Sequence, residues 1–324
     1  MPRALALVLA LLLVPPASAS AQQVIRLAHV AFPGSIFDIV ATEYARRVNE
    51  ALRGKVEMRV FHSSQLGTDE QMIKGIKVGA PEMFIPSTIM STVEPRFGVF
   101  EMPYIIVSRA HMKKVAEHPE VRTVLFDSLP RQGIRIIGTW ENGFRHVTNN
   151  VRPIVKPEDL KGIKLRVPSG VWRVKMFKAY GANPSPMAFA EVYSALQQGV
   201  MDAQENPVAQ IWSGKFYEVQ KYLSMSGHVY SPSYILVSES FWQTLPPDQR
   251  QVIEKLAIEM GDLARATGER LDRELVEKMT AGSRMKVNEV DKEAFIKASA
   301  PIYEEFGRDV KGGAELVKLI QSLR

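Results

Sequence analysis

The spacing of hydrophobic residues predicts alternating strands and helices at the start of the chain. Residues 24–30 have a strand pattern, and across residues 36–52 the apolar side chains fall on one helical face. Residues 56–60 alternate between apolar and charged, which is the period of a strand. A second helix is predicted at residues 69–78 and a short strand at residues 82–86. This βαβαβ rhythm is typical of a parallel sheet with helices on both faces.

The same rhythm returns in the middle of the chain, and a helical region follows it. Strands are predicted at 133–140, 144–148 and 163–167 and as a pair at about 219–237, with helices at about 170–180 and 188–198. From Asp248 to Met279 the apolar residues lie broadly on one helical face. A chain of this length is expected to form two lobes. A helix of about 30 residues is roughly 45 Å long, which exceeds the width of one such lobe. We therefore expect this helix to touch two lobes.

The first residues indicate export. Arg3 precedes an apolar run at residues 4–14, which is shorter than the about 20 apolar residues that span a bilayer. Small residues follow and fit a signal peptidase site, with cleavage after Ala19 or Ala21. A buried N-terminal helix is the alternative. We expect residues 1–21 to be a signal peptide and the mature chain to be a soluble periplasmic protein.

Composition restricts the chemistry. The chain has no cysteine, which excludes disulfides, thiol catalysis and thiolate metal sites, and its 6 histidines lack tight ligand spacing. We therefore expect no metal. The net charge of +6 is not clustered into basic runs, so nucleic acid is not an expected partner. No GxSxG, P-loop or dinucleotide motif is present, so we expect no cofactor and no enzyme activity, with a Ser–His–Asp hydrolase as the alternative.

Arg166 stands out from its position in a predicted strand. It lies on the polar face of the strand at residues 163–167, close to the carboxyl end. Ligands of open α/β sheets bind beyond those ends, and a guanidinium donates two parallel hydrogen bonds to a carboxylate. Spacing alone leaves two alternatives open, a solvated or ion-paired arginine and an anchor for an anion.

A set of motifs resolves these alternatives. They are KGIKLRVP at 161–168, GANPSPMAFAEVYSALQQG at 181–199, DAQENP at 202–207 and KFYEVQK at 215–221, with SSQLG at 63–67 and GFR at 143–145. Together and in this order they resemble the DctP family, the extracytoplasmic solute-binding subunits of TRAP transporters. The resemblance covers essentially the whole mature chain. The motif at 202–207 departs from the family's more usual Asp-Gly-Gln by having alanine at its second position.

The resemblance implies both fold and function. The expected fold is α/β, a two-lobed periplasmic-binding-protein fold with crossover strands and a long helix spanning both lobes. We expect lobe I to comprise residues 22–142 and 232–271, and lobe II residues 143–231 and 272–324. The expected function is capture of a small organic acid anion by a monomer that delivers it to the membrane subunits of a TRAP permease. A periplasmic sensor for a signalling partner is the alternative.

The resemblance also implies site residues. Arg166 matches the arginine that binds the ligand carboxylate, and Arg145 matches a second arginine. Asn206 and Phe189 match a pocket asparagine and a pocket aromatic residue. Further wall candidates, at positions that vary with the substrate, are Ser169, Trp172, Ser87, Asp69, His29 and His228. A sialic-acid-binding member would carry glutamate at position 87, so sialic acid is disfavoured. Glu205, Glu141 and Asn142 are expected to orient an arginine.

Overall fold

The computed structural model describes residues 22–282 and 285–324, so the predicted signal peptide lies outside the described residues. The strands are β1 (Gln23–Ala28), β2 (Val56–Phe61), β3 (Met83–Phe84), β4 (Ile134–Asn149), β5 (Lys164–Val167), β6 (Asn183–Pro186), β7 (Ala203–Pro207), β8 (Tyr222–Ser238) and β9 (Lys286–Glu289).

The helices surround this sheet. They are α1 (Ile36–Ala51), α2 (Asp69–Ile76), α3 (Met90–Val93), α4 (Arg109–Glu117), α5 (Pro119–Phe126), α6 (Val171–Ala179), α7 (Val192–Gln197), α8 (Val208–Ser213), α9 (Glu239–Thr244), α10 (Pro247–Gly282), α11 (Lys292–Ala298), α12 (Ala300–Asp309) and α13 (Gly313–Ser322). Short 3₁₀ helices lie at Pro95–Glu101, Pro130–Gln132, Pro157–Leu160, Phe189–Glu191 and Phe216–Glu218.

The order of the strands defines two lobes. The sheet runs β2-β1-β3-β8-β4-β7-β5-β6, and β9 pairs with β8. We call the half around β2-β1-β3 the first lobe and the half around β7-β5-β6 the second lobe. Within each half the neighbouring short strands are parallel, whereas β4 and β8 pair with each other antiparallel along the centre. The predicted two-lobed α/β fold with crossover strands is confirmed.

The two central strands are longer than the sequence predicted. β4 has 16 residues and β8 has 17. The separate strands predicted at 133–140 and 144–148 are one strand interrupted by irregularities, the middle one between Glu141 and Gly143. Gly143 has φ +123°, a conformation that side-chain-bearing residues rarely adopt, and this explains the apparent break in the pattern.

The long helix predicted to touch both lobes is α10, whose 36 residues correspond to about 54 Å. It packs against α1, β4 and α8, and so contacts both lobes. Trp140 donates its indole N–H to the carbonyl of Ala257 at 2.7 Å, and Tyr44 donates to the carbonyl of Ile253 at 2.9 Å. Close approach requires Gly138, whose added Cβ would lie 2.8 Å from the Ala257 oxygen. Among the described residues, no helix has the length and apolarity needed to cross a membrane.

The C-terminal helices contact both lobes. Phe295 of α11 packs with the second-lobe residues Phe177 and Tyr180, whereas Phe306 of α12 and Leu316 of α13 belong to the core beneath the first lobe. The assignment of all of residues 272–324 to the second lobe stays a prediction, because α12 also packs against α6 of the second lobe, where Phe306 contacts Trp172. The amphipathic pattern of a helix shows that one face is buried but not which lobe covers it.

Candidate functional site

A small cavity lies between the lobes at the carboxyl ends of β5 and β7. Its lining comprises Val30, Phe37, Asp69, Glu70, Ser87, Thr88 and Ile89 of the first lobe, Asn142 and Arg145 of β4, and Arg166, Pro168, Ser169, Met187, Ala188, Phe189, Asn206 and Gln210 of the second lobe. The cavity volume is about 50 Å³. One water needs about 10–15 Å³ in this measure, so the space between the closely spaced lobes takes several water-sized groups, and a larger ligand requires the lobes to move apart.

A larger groove of about 950 Å³ lies elsewhere, between the C-terminal helices and the central strands. Its lining is mainly apolar, and its charged residues are Asp272 of α10, which already pairs with Arg109, and Lys292, Glu304, Lys318 and Arg324 of the C-terminal segment. The smaller cavity instead gathers the buried side chains of Arg145, Arg166, Asn206 and Gln210. Convergent buried polar groups distinguish a ligand site from a surface groove, so we assign the candidate site to the smaller cavity.

Arg166 reaches the cavity from β5 and is 3 % exposed. Its Nε and Nη2 donate to the carbonyl of Met187 at 2.9 and 2.6 Å, while Nη1 makes no hydrogen bond within the described part of the chain. Its guanidinium lies 6.0 Å from the centre of the Phe189 ring. Burial, together with the charge of Arg145, lowers the pKa of Arg166 to about 10. The residue remains a cation at neutral pH with donors left for an anion.

Arg145 is held by Glu205. Its Nε donates to Glu205 Oε2 at 2.6 Å, and its Nη2 donates to Glu205 Oε1 at 2.9 Å and to Asn206 Oδ1 at 3.1 Å. Glu205 also accepts from Arg173 Nη1 at 2.7 Å and pairs with His228 Nε2 at 3.1 Å. Burial opposes ionisation of Glu205, but the charges of Arg145 and Arg173 hold its pKa well below the usual range. Glu205 thus contacts Arg145 through both carboxylate oxygens, which is the geometry expected of a residue that orients an arginine.

Asn206 has its side-chain amide fixed from both ends. Its oxygen accepts from Arg145, and its Nδ2 donates to Gln204 Oε1 at 2.6 Å. Gln204 in turn donates to Thr148 Oγ1 at 2.8 Å. This buried network fixes the geometry of the cavity floor, because each donor has a matched acceptor.

The first-lobe wall carries carboxylates. Asp69 begins α2, where the Thr68 hydroxyl accepts from the backbone N–H of Gln71. Burial and the neighbouring charge of Glu70 raise the pKa of Asp69 to about 7. Glu70 accepts a short hydrogen bond from the hydroxyl of Ser169 in the other lobe. The wall therefore presents acceptors to a ligand, and one of them joins the lobes.

Ser87 belongs to a chain of hydrogen bonds in the same wall. Its hydroxyl donates to the carbonyl of Pro232 at 2.7 Å and accepts from Asn142 Nδ2 at 3.3 Å. Asn142 accepts in turn from Gln210 Nε2 at 3.1 Å. Asn142 was expected to orient an arginine, whereas in the structure it joins Ser87 to Gln210.

The structure brings together most of the predicted site residues. Those lining the cavity are Arg166, Arg145, Asn206, Phe189, Ser169, Ser87 and Asp69. The remaining predicted residues are Trp172, His29 and His228, which do not line it.

These three residues are buried behind the site. Trp172 packs on Phe306, with ring centres 5.1 Å apart. His228 contacts Glu205 from behind, and burial lowers its pKa. His29 lies under the cavity wall with its ring 6.2 Å from that of Phe37, and burial lowers its pKa to about 3. The sequence pattern of the strands and helices indicates that these residues lie near the site. Only the packing of the folded chain determines whether their side chains face the cavity or the core behind it.

One prediction about a charged residue is wrong, and one buried charged residue was not predicted. Glu141 was expected to orient Arg145, but it accepts from Arg109 Nη2 at 2.7 Å and from the Tyr230 hydroxyl at 2.9 Å. It faces Gly268 of α10, because the irregularities in β4 change which residues share a face. Sequence reasoning missed Arg173, which is fully buried beside Glu205. A charged residue on a short helix carries no signal of burial in the sequence.

A two-lobed fold with a buried, arginine-lined cavity between the lobes defines a solute-binding protein of the periplasmic-binding class. Residues 27–309 match the family model DctP, the bacterial extracellular solute-binding proteins of family 7. The chain belongs to this family, which supplies the solute-binding subunit of TRAP transporters. Its members are binding proteins rather than enzymes.

Named relatives and solved structures agree with this assignment. The 2,3-diketo-L-gulonate-binding periplasmic protein YiaO of Escherichia coli is 32 % identical over 288 residues, covering 88 % of each chain. The sugar acid binding protein DctPAm of Advenella mimigardefordensis, solved with galactonate, has TM-score 0.89 and 32 % identity over 93 % of this chain and 97 % of its own. A protein of Sulfurospirillum deleyianum solved with succinate has TM-score 0.88 and 34 % identity, covering 94 % of this chain and 100 % of its own.

Proposed function

We propose that this protein captures a small hydroxylated organic acid, of the sugar acid class, in the cavity between its lobes. The observation that carries the proposal is the buried Arg166 guanidinium in the cavity lining, whose Nη1 has no hydrogen bond to any described residue. A buried cation with unused donors is costly unless an anion meets it. A carboxylate matches the planar donors of arginine better than other common anions except phosphate.

Neighbouring charges support a single carboxylate at this position. Arg145 already has Glu205 as its counter-ion, so Arg166 is the cation of the cavity without a close carboxylate partner among the described residues. Asn206 adds an amide beside it. A dissociation constant between micromolar and nanomolar requires about 8–12 kcal/mol. Because each charged hydrogen bond contributes about 1.5–3 kcal/mol, closure of the lobes and further polar contacts must supply the rest.

The first-lobe wall favours hydroxyl groups over a second carboxylate. Asp69 and Glu70 face the cavity with acceptor oxygens, and Asp69 is partly ionised at neutral pH since its pKa is about 7. Ligand hydroxyls donate to such oxygens, whereas a second carboxylate is repelled by them. Relatives are described with galactonate and with succinate, so both classes exist among similar proteins. The acidic wall leads us to propose a monocarboxylate that carries hydroxyls.

The cellular setting follows from the family and the predicted leader. We propose that residues 1–21 direct export and are removed, that the mature chain acts in the periplasm as a monomer, and that it delivers its ligand to the membrane subunits of a TRAP permease. The family's place outside the cytoplasm supports this setting. We assign lobe I to residues 22–142 and 232–271 and lobe II to residues 143–231 and 272–324.

A thermal-shift screen followed by calorimetry tests the ligand class. Galactonate, gulonate and glucuronate form the hydroxylated set, and succinate and malonate form the dicarboxylate set. We expect a hydroxylated acid to raise Tm by several degrees, because a ligand that binds only the folded protein stabilises it by RT ln(1 + [L]/Kd), about 2.7 kcal/mol at 100-fold excess over Kd. A larger rise with succinate than with every sugar acid would overturn the hydroxyl assignment, and no rise with any acid would overturn the proposed anion site.

A further inference from the structure

A second contact between the lobes lies behind the ligand cavity. Glu101 ends the 3₁₀ helix Pro95–Glu101 of the first lobe and is 2 % exposed, and Arg173 in α6 of the second lobe is fully buried. The backbone N–H of Arg173 donates to Glu101 Oε2 at 3.1 Å, and the Arg173 Nε lies 3.9 Å from the same oxygen. The pair joins the lobes without contact with the ligand cavity, because neither residue lines it.

The surfaces around this pair are shaped for close approach. A Cβ added to Gly170 would lie 2.8 Å from Glu101 Oε2. A Cβ added to Gly98 would lie 2.4 Å from Cδ1 of Trp172, which packs from the second lobe against the first. Glycine at these two positions removes side chains that would hold the lobes apart. The contact is therefore built into both partners.

Arg173 also connects this contact to the ligand site. Its Nη1 donates to Glu205 Oε2 at 2.7 Å, and the same oxygen accepts from Arg145 Nε at 2.6 Å. Arg145 and Arg173 thus share Glu205, which leaves two cations with one anion. Glu101 supplies a second carboxylate from the opposite lobe; burial raises its pKa to about 7, while the charge of Arg173 favours its ionised form. Arg173 therefore gains this carboxylate partner only when the lobes meet.

We infer that Glu101 and Arg173 are positioning residues that fasten the two lobes together and hold Glu205 and Arg145 in place for the ligand. The pair acts through charge more than through direct side-chain hydrogen bonds. Within the described residues, Nε and Nη2 of Arg173 and Oε1 of Glu101 have no hydrogen-bond partner, and both side chains border a gap of about 10 Å³. In such a buried setting the interaction of two charges stays strong without direct contact.

The decisive variant is Glu101→Gln, which keeps the shape of the side chain and removes its charge. The matched control is Glu239→Gln, which breaks the ion pair that Arg135 forms with Glu239 at 2.8 Å, outside the contact between the lobes. The readouts are galactonate affinity by calorimetry and hydrogen exchange of the peptide 171–177. With Glu101→Gln we expect affinity to fall at least about tenfold and the peptide to exchange about tenfold faster, while the control changes neither.

The affinity measurement rests on the proposed function, because it needs a ligand that binds, whereas hydrogen exchange does not depend on the choice of ligand. If none of galactonate, gulonate and glucuronate binds the parent protein, the proposed sugar acid class is wrong, and exchange of the unliganded proteins still decides the role of Glu101. Faster exchange in Glu101→Gln than in the parent supports the inference. Equal exchange and equal affinity overturn it. Arg173→Gln, checked for folding by circular dichroism, is expected to show the same direction as Glu101→Gln.

Discussion

Replacing Arg166 with alanine is the sharpest test of the site. The substitution removes the Nη1 donors that face the cavity and the two bonds to the Met187 carbonyl. Loss of two charge-assisted hydrogen bonds to a carboxylate corresponds to about 3–6 kcal/mol. Since about 1.4 kcal/mol is a factor of ten, the expected loss of affinity is about 10²- to 10⁴-fold.

Stability of the unliganded protein should respond differently from affinity. The pKa of Arg166 is lowered to about 10 because burial and the charge of Arg145 oppose its positive charge. Removing a cation from that position relieves this cost and offsets the lost packing. We therefore expect Tm of the free Arg166→Ala protein to stay within a few degrees of the parent, measured by differential scanning calorimetry, while titration calorimetry shows the loss of binding.

A matched control separates the anchor role from a structural one. Arg152 also donates through Nε and Nη2 to backbone carbonyls, those of Asp159 and Lys161, but it lies outside the cavity. Arg152→Ala should leave affinity unchanged. Arg166→Lys should weaken binding as well, since an ammonium lacks the planar fork. A loss of less than threefold in Arg166→Ala would refute the assignment of Arg166 as anchor.

Three further predictions concern charge and space around the cavity. Succinate should bind more tightly at pH 6 than at pH 8, because protonation of Asp69, with its pKa of about 7, removes a negative charge from the cavity wall. In calorimetry, Asp69→Asn should abolish this dependence of succinate affinity on pH. An affinity of the parent protein that does not change with pH would contradict the prediction. Glu205→Gln should lower the free energy of unfolding by about 3–5 kcal/mol in urea denaturation, since Arg145 and Arg173 lose their shared anion; an unchanged midpoint would count against it. Because the charges of Arg145 and Arg173 depress the pKa of Glu205, its contribution should be complete above pH 4.5, its ordinary value, and should be lost progressively as the pH falls below 4.5. Gly98→Ala should hold the lobes apart and enlarge the radius of gyration with galactonate in solution scattering, and a compact variant would disprove the steric argument.

The sequence predicted the main elements because period and length are local properties. The long helix α10 and the strand that carries Arg166 were predicted from the spacing of apolar residues. The family motifs then indicated Arg145, Asn206 and Phe189. Irregular backbone was not predictable in the same way. The interruption at Gly143 made one strand resemble two, and it also turned Glu141 towards Arg109 instead of Arg145.

Long-range pairing was the other property that the sequence did not reveal. Glu101 and Arg173 are 72 positions apart, and each lies in a short helix where a charged residue is ordinarily exposed. Their burial results from contact between the lobes, which no local pattern encodes. Helix faces were predicted, but the surfaces that cover them were not.

The long central strands have a consequence for how the chain folds. β4 and β8 run through the whole sheet, so each half of it is completed by strands that also belong to the other half. A fragment ending near residue 150 would lack β8, which lies between β3 and β4. Neither half therefore has a complete sheet of its own, and unfolding should be a single cooperative transition despite two visible lobes. Pairing across such distances along the chain also makes folding slow, because loops must close before the strands can meet.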